Sequence, residues 1–388
     1  MSSSVTTLAG LKRGDLHGQP GVAVRAQIDQ ARSKTARSGS PYLEWVLRDS
    51  EESMPLRIWD NHPQFTAAGQ ARSGDFIEVT ALWNATERYG LEPKDWQFRL
   101  LQAEETEALL AGSGESAQRQ QTDWNDITSL VDGMADPRLR LLSQTFLEQF
   151  GDRFRRAAGA REYHHARRGG LVEHVAQMMR CADALSRVYQ DLNRDLLLTG
   201  ALFHDCGKMW ENCYRERDFT MPYSEPAELL GHITLGIELI NKLWRDLLES
   251  PAAADWQAQD PPSDHVRLHL LHLIASHHGE HEYGSPVLPK TPEAMALHYI
   301  DNLDAKMEMF RRGYQTGQSL ADRVIQRVRP LPANLVTPLA RIEPSSDPSD
   351  PSDPSDSSDS SEVQPAPRPA TATATEAKAT GRGLSALD

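Results

Sequence analysis

Histidine and aspartate side chains recur on a series of apolar segments in the middle of the chain, and this pattern constrains the fold most. Between residues 122 and 330 the apolar residues follow the spacing of buried helix faces, as at positions 171, 175, 178, 182 and 185. This spacing predicts helices at 170–188, 195–208, 225–249, 264–278 and 291–311. The polar residues on these helices are His174, His204, Asp205, His232, His277, His278 and Asp301.

So many polar side chains are costly to bury. A single histidine on an apolar face is usually a core residue with a hydrogen-bonding partner. Several imidazoles and carboxylates without partners would each cost free energy on burial, and a pair of bound metal ions would remove that cost. Histidine nitrogens with a bridging carboxylate suit divalent manganese, iron, zinc or nickel. The pattern therefore predicts a metal centre inside a helical domain.

Residues 20–101 are typical of a small β domain. Short segments rich in β-branched and aromatic residues alternate with turn signals. The predicted strands are 22–28, 42–48, 54–59, 75–82 and 96–101, with a short helix at about 61–69 between the third and fourth. Five strands with a helix after the third is the layout of an OB-fold barrel.

OB barrels bind single strands by stacking bases on aromatic rings while basic groups hold phosphates. The main candidates for such contacts are Trp45, Trp59 and Arg57. Packing in the barrel core is the more common role for any one aromatic residue, so both interpretations stay open. The further candidates are Tyr42, Trp83, Tyr89, Trp96, Arg48 and Arg99. A basic segment could either face phosphates or simply be solvated, and it contains Arg25, Arg32, Lys34 and Arg37.

The charge distribution separates two further segments. The net charge of −14 argues against a protein that coats nucleic acid through bulk charge, but it permits a local basic groove. Residues 344–388 contain the repeat DPSDPSDPSDSSDSSE and few large apolar side chains, which predicts a disordered acidic tail, with a regulatory or solubilising role as the functional alternative. Residues 102–121 are polar, contain Gly and Ser, and are interpreted as a linker.

Other features limit the setting and the class of enzyme. Three cysteines without a CxxC pair, no apolar leader and no long apolar run predict a reduced, cytoplasmic setting without a membrane span. The sequence has no GxxxxGK[ST], GxGxxG or GxSxG motif, so nothing in it indicates a P-loop ATPase, a nicotinamide enzyme or an α/β-hydrolase.

The histidine and aspartate series resembles the HD-domain metal-dependent phosphohydrolases, and the string HDCGK at 204–208 is specific to that superfamily. The strings at 161–175, 196–211, 229–240 and 274–307 are similar, more narrowly, to bacterial OB–HD 3′→5′ exoribonucleases of the YhaM type. The resemblance covers about residues 20–320. The segment 250–263 and the acidic tail depart from this resemblance. They leave regulation and the oligomeric state open, and a homo-oligomer is one possibility.

The resemblance implies a fold and a domain order. The expected fold is an α+β multidomain protein, with a five-stranded OB-like β-barrel followed by an all-α HD-domain bundle and a disordered acidic tail. The expected boundaries are 1–101 for a nucleic-acid-binding OB domain, 102–121 for the linker, 122–343 for the HD phosphohydrolase domain and 344–388 for the tail.

The resemblance also implies a role for each matching residue. His174, His204, Asp205 and Asp301 would hold one divalent ion, and Asp205 would bridge to a second held by His232, His277 and His278. His278 has a phosphate contact as its alternative role. Asp205 and Lys208 would be catalytic, with Lys208 near the scissile phosphate. The expected ions are two, manganese first, with iron, nickel, zinc, cobalt and magnesium as alternatives. The expected substrate contacts outside the barrel are His164, His165 and Tyr283, with a structural role in the loop as the equal alternative for the two histidines.

The implied activity is a metal-dependent 3′→5′ exonuclease that hydrolyses single-stranded RNA, with DNA left open, by a metal-activated water. Two alternatives remain at this point. One is a phosphohydrolase of free or signalling nucleotides, and the other is a non-catalytic regulator that binds single strands.

Overall fold

The computed structural model describes residues 4–340, with gaps at 15, 38, 51, 87–89, 113 and 162–163. The predicted tail at 344–388 and the candidate Tyr89 lie outside the described residues. The strands are β1 Val5–Thr6, β2 Val22–Thr35, β3 Pro41–Arg48, β4 Ser53–Trp59, β5 Phe76–Thr86, β6 Gly90–Leu100, β7 Ser319–Ala321, β8 Val324–Ile325 and β9 Leu335–Val336. The helices are α1 Leu8–Arg13, α2 Phe65–Ala68, α3 Ala103–Leu110, α4 Gly114–Asp132, α5 Pro137–Phe154, α6 Gly170–Val188, α7 Arg194–Phe203, α8 Lys208–Glu211, α9 Glu225–Leu248, α10 Ser263–Ser276 and α11 Pro292–Thr316.

The N-terminal sheet resembles an OB-fold. Its five long strands lie in the order β4-β3-β2-β5-β6, and every neighbouring pair among them is antiparallel. The strand β2 pairs with β5 over its first half and with β3 over its second half. A register shift between Ile28 and Gln30 marks this change of partner, and such bulges bend a strand strongly. The sheet therefore curls as an OB barrel does, with α2 after the third long strand.

Side-chain bonds join the two ends of this curled sheet. Gln64, at the start of α2, donates to the carbonyl of Phe98 at 3.0 Å and accepts from the amide of Phe98 at 2.8 Å.

The core side chains alternate along β4, where Met54, Leu56 and Ile58 are buried. This alternation is the period of a strand with one face inward.

The second part of the chain is a bundle of helices around one apolar core. Local caps define the helix starts. Asp136 caps α5 and is followed by Pro137, Asn193 caps α7, and Thr291 caps α11 before Pro292. The helix α6 begins and ends at the residues that its apolar spacing predicts, and α7 has every side chain from Asp195 to Phe203 buried. No helix among the described residues combines the length and hydrophobicity that crossing a membrane requires.

The sheet and the bundle belong to one compact unit and share a small interface. The amide of Phe219 donates to the side-chain oxygen of Gln27 at 2.8 Å, in a buried position. The ring of Phe219 lies 6.1 Å from the ring of Phe76 on β5. Leu110, Ala158 and Tyr214 complete the same apolar cluster.

The segment predicted as a linker differs from that expectation. Most of the described residues in 102–121 lie in α3 and in the first turns of α4. Glu105 pairs with Arg99 at 2.7 Å and with Arg25 at 2.9 Å, which fixes α3 against the sheet. Gln120 donates to the carbonyl of Arg168 at 2.7 Å. Polar composition alone could not reveal these contacts, because they are made with residues distant in sequence.

Three other differences follow from packing. The predicted helix 195–208 ends at Phe203, before the His-Asp pair. The segment 250–263 contains a 3₁₀ helix, Pro251–Ala258, in which Trp256 is buried against Trp244 with ring centroids 4.9 Å apart. The short elements β1, α1 and the β7–β9 hairpins were not predicted, because each has too few residues to show a period.

The candidate Trp45 is a core residue, and its prediction as a substrate contact is wrong. Its side chain is 0% exposed and its ring stands edge-on to Phe98 at 5.1 Å. Trp83 is buried as well and donates its indole N–H to the carbonyl of Val22 at 3.1 Å. Trp59, in contrast, is 44% exposed.

The two tryptophans provide a stability test with an internal control. We expect Trp45→Ala to lower the free energy of unfolding by about 3–5 kcal/mol, because it leaves a large cavity in the barrel. We expect Trp59→Ala to change it by less than about 1 kcal/mol. Urea titrations followed by circular dichroism measure both. Equal losses would contradict the assignment of Trp45 to the core and Trp59 to the surface.

Candidate metal centre

The His-Asp pair lies directly after α7, where the main chain fixes one imidazole. The Nδ1 of His204 lies 2.9 Å from the carbonyl oxygen of Ala201 in the last turn of the helix. A carbonyl can only accept, so this nitrogen carries the proton and Nε2 keeps its lone pair. His277, after α10, repeats the arrangement, with Nδ1 at 2.8 Å from the carbonyl of Ile274.

The remaining imidazoles are also held through Nδ1. In His174 this atom lies 2.7 Å from Oδ2 of Asp304, and in His278 it lies 2.6 Å from the carbonyl of Tyr283. In His232 it lies 3.3 Å from a carboxylate oxygen of Glu211. Partners of this kind orient metal-binding histidines and leave Nε2 as the ligand atom.

The Nε2 atoms gather around the two oxygens of Asp205. On the Oδ2 side, His204 lies at 3.2 Å and His174 at 3.6 Å, and the Nε2 atoms of these two histidines are 3.2 Å apart. Oδ1 of Asp301 lies 3.4 Å from Nε2 of His174. These four residues form the first subsite.

On the Oδ1 side of Asp205, Nε2 of His232 lies at 3.4 Å and Nε2 of His277 at 3.7 Å. These three atoms are buried and have no hydrogen-bonding partner among the described residues. His278 belongs to the same group of potential ligand atoms as His232 and His277. These residues form the second subsite, so the two subsites share one carboxylate.

The chemistry of this donor set fits divalent metal ions. Unpartnered buried nitrogens and oxygens that converge on one point are costly without a cation. Burial opposes ionisation of Asp205, but Lys208 and His204 outweigh it and hold the pKa of its carboxyl well below the usual range. Burial, reinforced by the neighbouring His204, lowers the pKa of His277 well below its ordinary value. At these two positions the arrangement therefore presents an ionised carboxylate, Asp205, and a neutral imidazole, His277, the protonation states that metal binding requires.

The first subsite is electrostatically prepared for a cation. Burial lowers the pKa of His174, but hydrogen bonds to Asp301 and Asp304 outweigh it and raise the pKa to about 10. The same carboxylates that hold a proton on this imidazole would attract a divalent ion. Asp304, one turn after Asp301, contacts His174 at 2.7 Å and also His165 at 2.9 Å, so it supports the ligands of the first subsite.

Two glycines allow the second subsite to form. Gly231 has φ 69°, a left-handed conformation that interrupts α9 immediately before His232. A Cβ atom on Gly207 would lie 1.9 Å from the carbonyl oxygen of His232, so only glycine permits this approach. Together the two glycines allow the part of α9 that begins at His232 to pack closely on the segment that contains His204 and Asp205.

Lys208 lies inside the centre. Its Nζ is 2.7 Å from Oδ2 of Asp205, and its side chain is mostly buried. Burial lowers its pKa, but the charge of Asp205 outweighs this and raises it, so the side chain is a cation. His164 has its ring 6.3 Å from that of His174, and burial with the charge of Lys208 lowers its pKa to about 4.

The other predicted substrate contacts are distributed differently. Tyr283 is 63% exposed on the segment that holds His278, where a ligand could reach it. His165 is buried and bonded to Asp304, which gives it a structural role beside the centre. On the barrel, Trp59 lies 5.0 Å from Tyr42, and Arg57 lies 3.8 Å from Glu44.

Sequence reasoning missed Glu211, which holds His232 through Nδ1. It lies seven residues after His204 in a short helix, α8, and no periodicity in the sequence connects it to α9. It also missed the pair of carboxylates, Glu173 and Glu308, that hold Arg167 beside the centre.

The comparison with models of protein families agrees with this geometry. The HD domain family model matches residues 171–306. Among solved structures, the second OB-fold domain of replication protein A from Methanococcus maripaludis, determined by solution NMR, aligns with 16% identity, 25% coverage of this chain, 95% of that chain and a TM-score of 0.19. The span that the HD domain model matches, residues 171–306, includes all the residues of both subsites. The chain therefore contains an HD domain, which implies a metal-dependent phosphohydrolase.

The shared carboxylate gives a direct test. We expect Asp205→Ala to reduce bound metal from two ions to at most one per chain, because the change removes a ligand from both subsites. Mass spectrometry of metals in the purified, folded protein measures this. Asp246→Ala, at an exposed position on α9, is the control and should keep two ions. A folded Asp205→Ala protein with two ions would contradict the assignment.

Glu211 gives a second and more selective test. We expect Glu211→Gln to weaken binding of one ion by about 10–100-fold, the usual effect of losing a partner that orients a ligand. The other ion should bind as before, since Glu211 lies beside the second subsite alone. Competition against a chromogenic chelator separates the two affinities. An equal loss at both sites would show that Glu211 acts through general stability.

Proposed function

We propose that this chain is a metal-dependent 3′→5′ exonuclease that hydrolyses phosphodiester bonds in single-stranded nucleic acid, with RNA favoured. The observation that carries the proposal is the buried carboxylate of Asp205 between two sets of imidazoles. This centre occurs in one compact unit with an OB-like barrel. A hydrolytic centre and a strand-binding barrel in one body are what a processive reaction on a polymer needs.

The proposed ligands are those that the geometry brings together. His174, His204, Asp205 and Asp301 would hold one ion, and Asp205, His232, His277 and His278 the other. When bound, such a metal pair, manganese in the first instance, lowers the pKa of a water molecule and stabilises charge on phosphorus-bound oxygens. The Nδ1 contacts then serve to keep each ligand oriented.

The remaining groups would act on the phosphate. Lys208 is a buried cation inside the centre, where it would neutralise the charge that develops on a phosphate oxygen. His164 is neutral at pH 7, because burial lowers its pKa to about 4. A neutral imidazole can donate a hydrogen bond to a phosphate without adding charge. Tyr283, exposed on the segment that holds His278, would stack on the terminal base.

The barrel would capture the strand. Trp59 and Tyr42 are opposite each other on β4 and β3 and form a partly exposed aromatic pair. Arg57 lies on the same face of β4, two residues before Trp59, and is 46% exposed. Bases can stack on the aromatic pair while arginine contacts the backbone.

The test of the activity is an end-labelled ladder. Full-length protein with manganese should shorten a 5′-labelled single strand by single nucleotides, and a blocked 3′ end should stop it. Asp205→Ala should produce no ladder, and RNA and DNA strands measured in parallel give the preference. Hydrolysis of free nucleotides with intact oligonucleotides would reject the exonuclease in favour of a nucleotide phosphohydrolase.

The role of the barrel is tested at Trp59. We expect Trp59→Ala to lower kcat/KM on a long strand by an amount equal to about 1–3 kcal/mol, the contribution of one stacked base. A dinucleotide is too short to reach both the barrel and the metal centre, so its turnover should be unchanged. Tyr223→Ala, an exposed aromatic of the bundle, is the matched control. A parallel loss on both substrates would remove the barrel from strand capture.

A further inference from the structure

A cavity of about 320 Å³ lies where the barrel, the α3–α4 connection and the segment before α6 meet. It is separate from the residues of the metal centre. We call it the arginine pocket. The lining residues that matter here are Ser50, Gly112, Ser116, Arg155, Arg156 and Arg168.

The guanidinium of Arg168 is held in place by main-chain carbonyls, and it has no ion pair with a carboxylate among the residues that the structure describes. It donates to the main-chain carbonyls of Arg215 at 2.7 Å, Glu216 at 2.9 Å and Asp218 at 3.3 Å. Burial, followed by the charge of Arg156, lowers the pKa of Arg168. Carbonyl dipoles position this cation but leave its charge uncompensated.

Arg156 has unused hydrogen-bonding capacity. Its Nε is buried and has no partner among the described residues. Its ion pair with Glu216 is long, at 3.8 Å, and that glutamate is 79% exposed. A surface pair of this geometry contributes little. The Nε–H of Arg156 is therefore a buried donor in need of an acceptor, although the side chain as a whole is 22% exposed.

Arg155 adds a third positive charge. It donates to the side-chain oxygen of Gln121 at 2.7 Å and lies over the ring of Trp124 at 5.0 Å. Asp152, with an exposed side chain, also borders the cavity. Arg167, in contrast, is neutralised by Glu173 and Glu308. The pocket therefore keeps an excess of positive charge from three arginines.

We propose that the arginine pocket binds a phosphate group. Planar guanidinium groups match the several acceptor oxygens of a phosphate. The cavity is large enough to admit a small phosphorylated ligand. Two sources share this chemistry: a backbone phosphate of a strand lying between barrel and bundle, and a free phosphate or nucleotide. The proposal does not depend on nuclease activity, since it rests on the pocket alone.

The test compares Arg156→Gln with Arg187→Gln in the full-length protein. Arg187 is exposed near the far end of α6, about 26 Å along the helix from Gly170 at 1.5 Å per residue, and serves as the matched control. One arm titrates inorganic phosphate into the metal-loaded protein by calorimetry. The other measures fluorescence anisotropy of a labelled single strand with proteins that also carry Asp205→Ala, so that no bond is cut.

We expect Arg156→Gln to weaken at least one of these probes by about tenfold or more, as loss of a hydrogen bond to a charged group does, with Arg187→Gln unchanged. Loss for the strand alone assigns a backbone phosphate, and loss for phosphate assigns a free ligand. If Arg156→Gln does not fold, the exposed Arg155→Gln decides in its place. Equal binding by variant and control in both arms, or no binding of either probe by the parent proteins, would overturn the proposal.

Discussion

The buried carboxylate of Asp205 is the group on which the arrangement of the helical domain depends. Its side chain is 2% exposed and each of its two oxygens faces a different set of imidazoles. An ionised group in such a place is stable only when cations or strong donors surround it. Lys208 meets part of this requirement within the chain, at 2.7 Å. The remaining compensation for the charge of Asp205 comes from ligands on four other helices or at their ends. The bundle must therefore keep all these helices in fixed relative positions.

The sequence predicted this centre well because ligand chemistry and helix period gave independent signals. His174 falls on the inward face of α6 by spacing alone, and the structure buries it. Asp304 follows Asp301 by one turn of α11, so the same helical period also brings its carboxylate to His174. Glu211 gave no such signal, since its contact with His232 depends on how α8 meets α9.

The barrel was harder to interpret from sequence. Strand positions followed from alternation and turns, yet alternation does not reveal which side of a closing sheet is inside. Trp45 and Trp59 have similar surroundings in sequence, but they end on opposite sides of the sheet. The helical structure of 102–121 was missed for a related reason, because ion pairs such as Arg99–Glu105 stabilise it from outside its own composition.

The way in which His204 and His277 are held has a consequence for the whole bundle. Each imidazole is bonded to a carbonyl of its own helix, three residues earlier, so each moves as a rigid extension of that helix. The distance between the two ligands is then set by the packing of α7 on α10, where Gly200 meets Leu273 closely enough to exclude a Cβ atom. Substitutions in the core that change the distance between α7 and α10 should therefore change the metal affinity of this protein, although the substituted residues do not contact the ions.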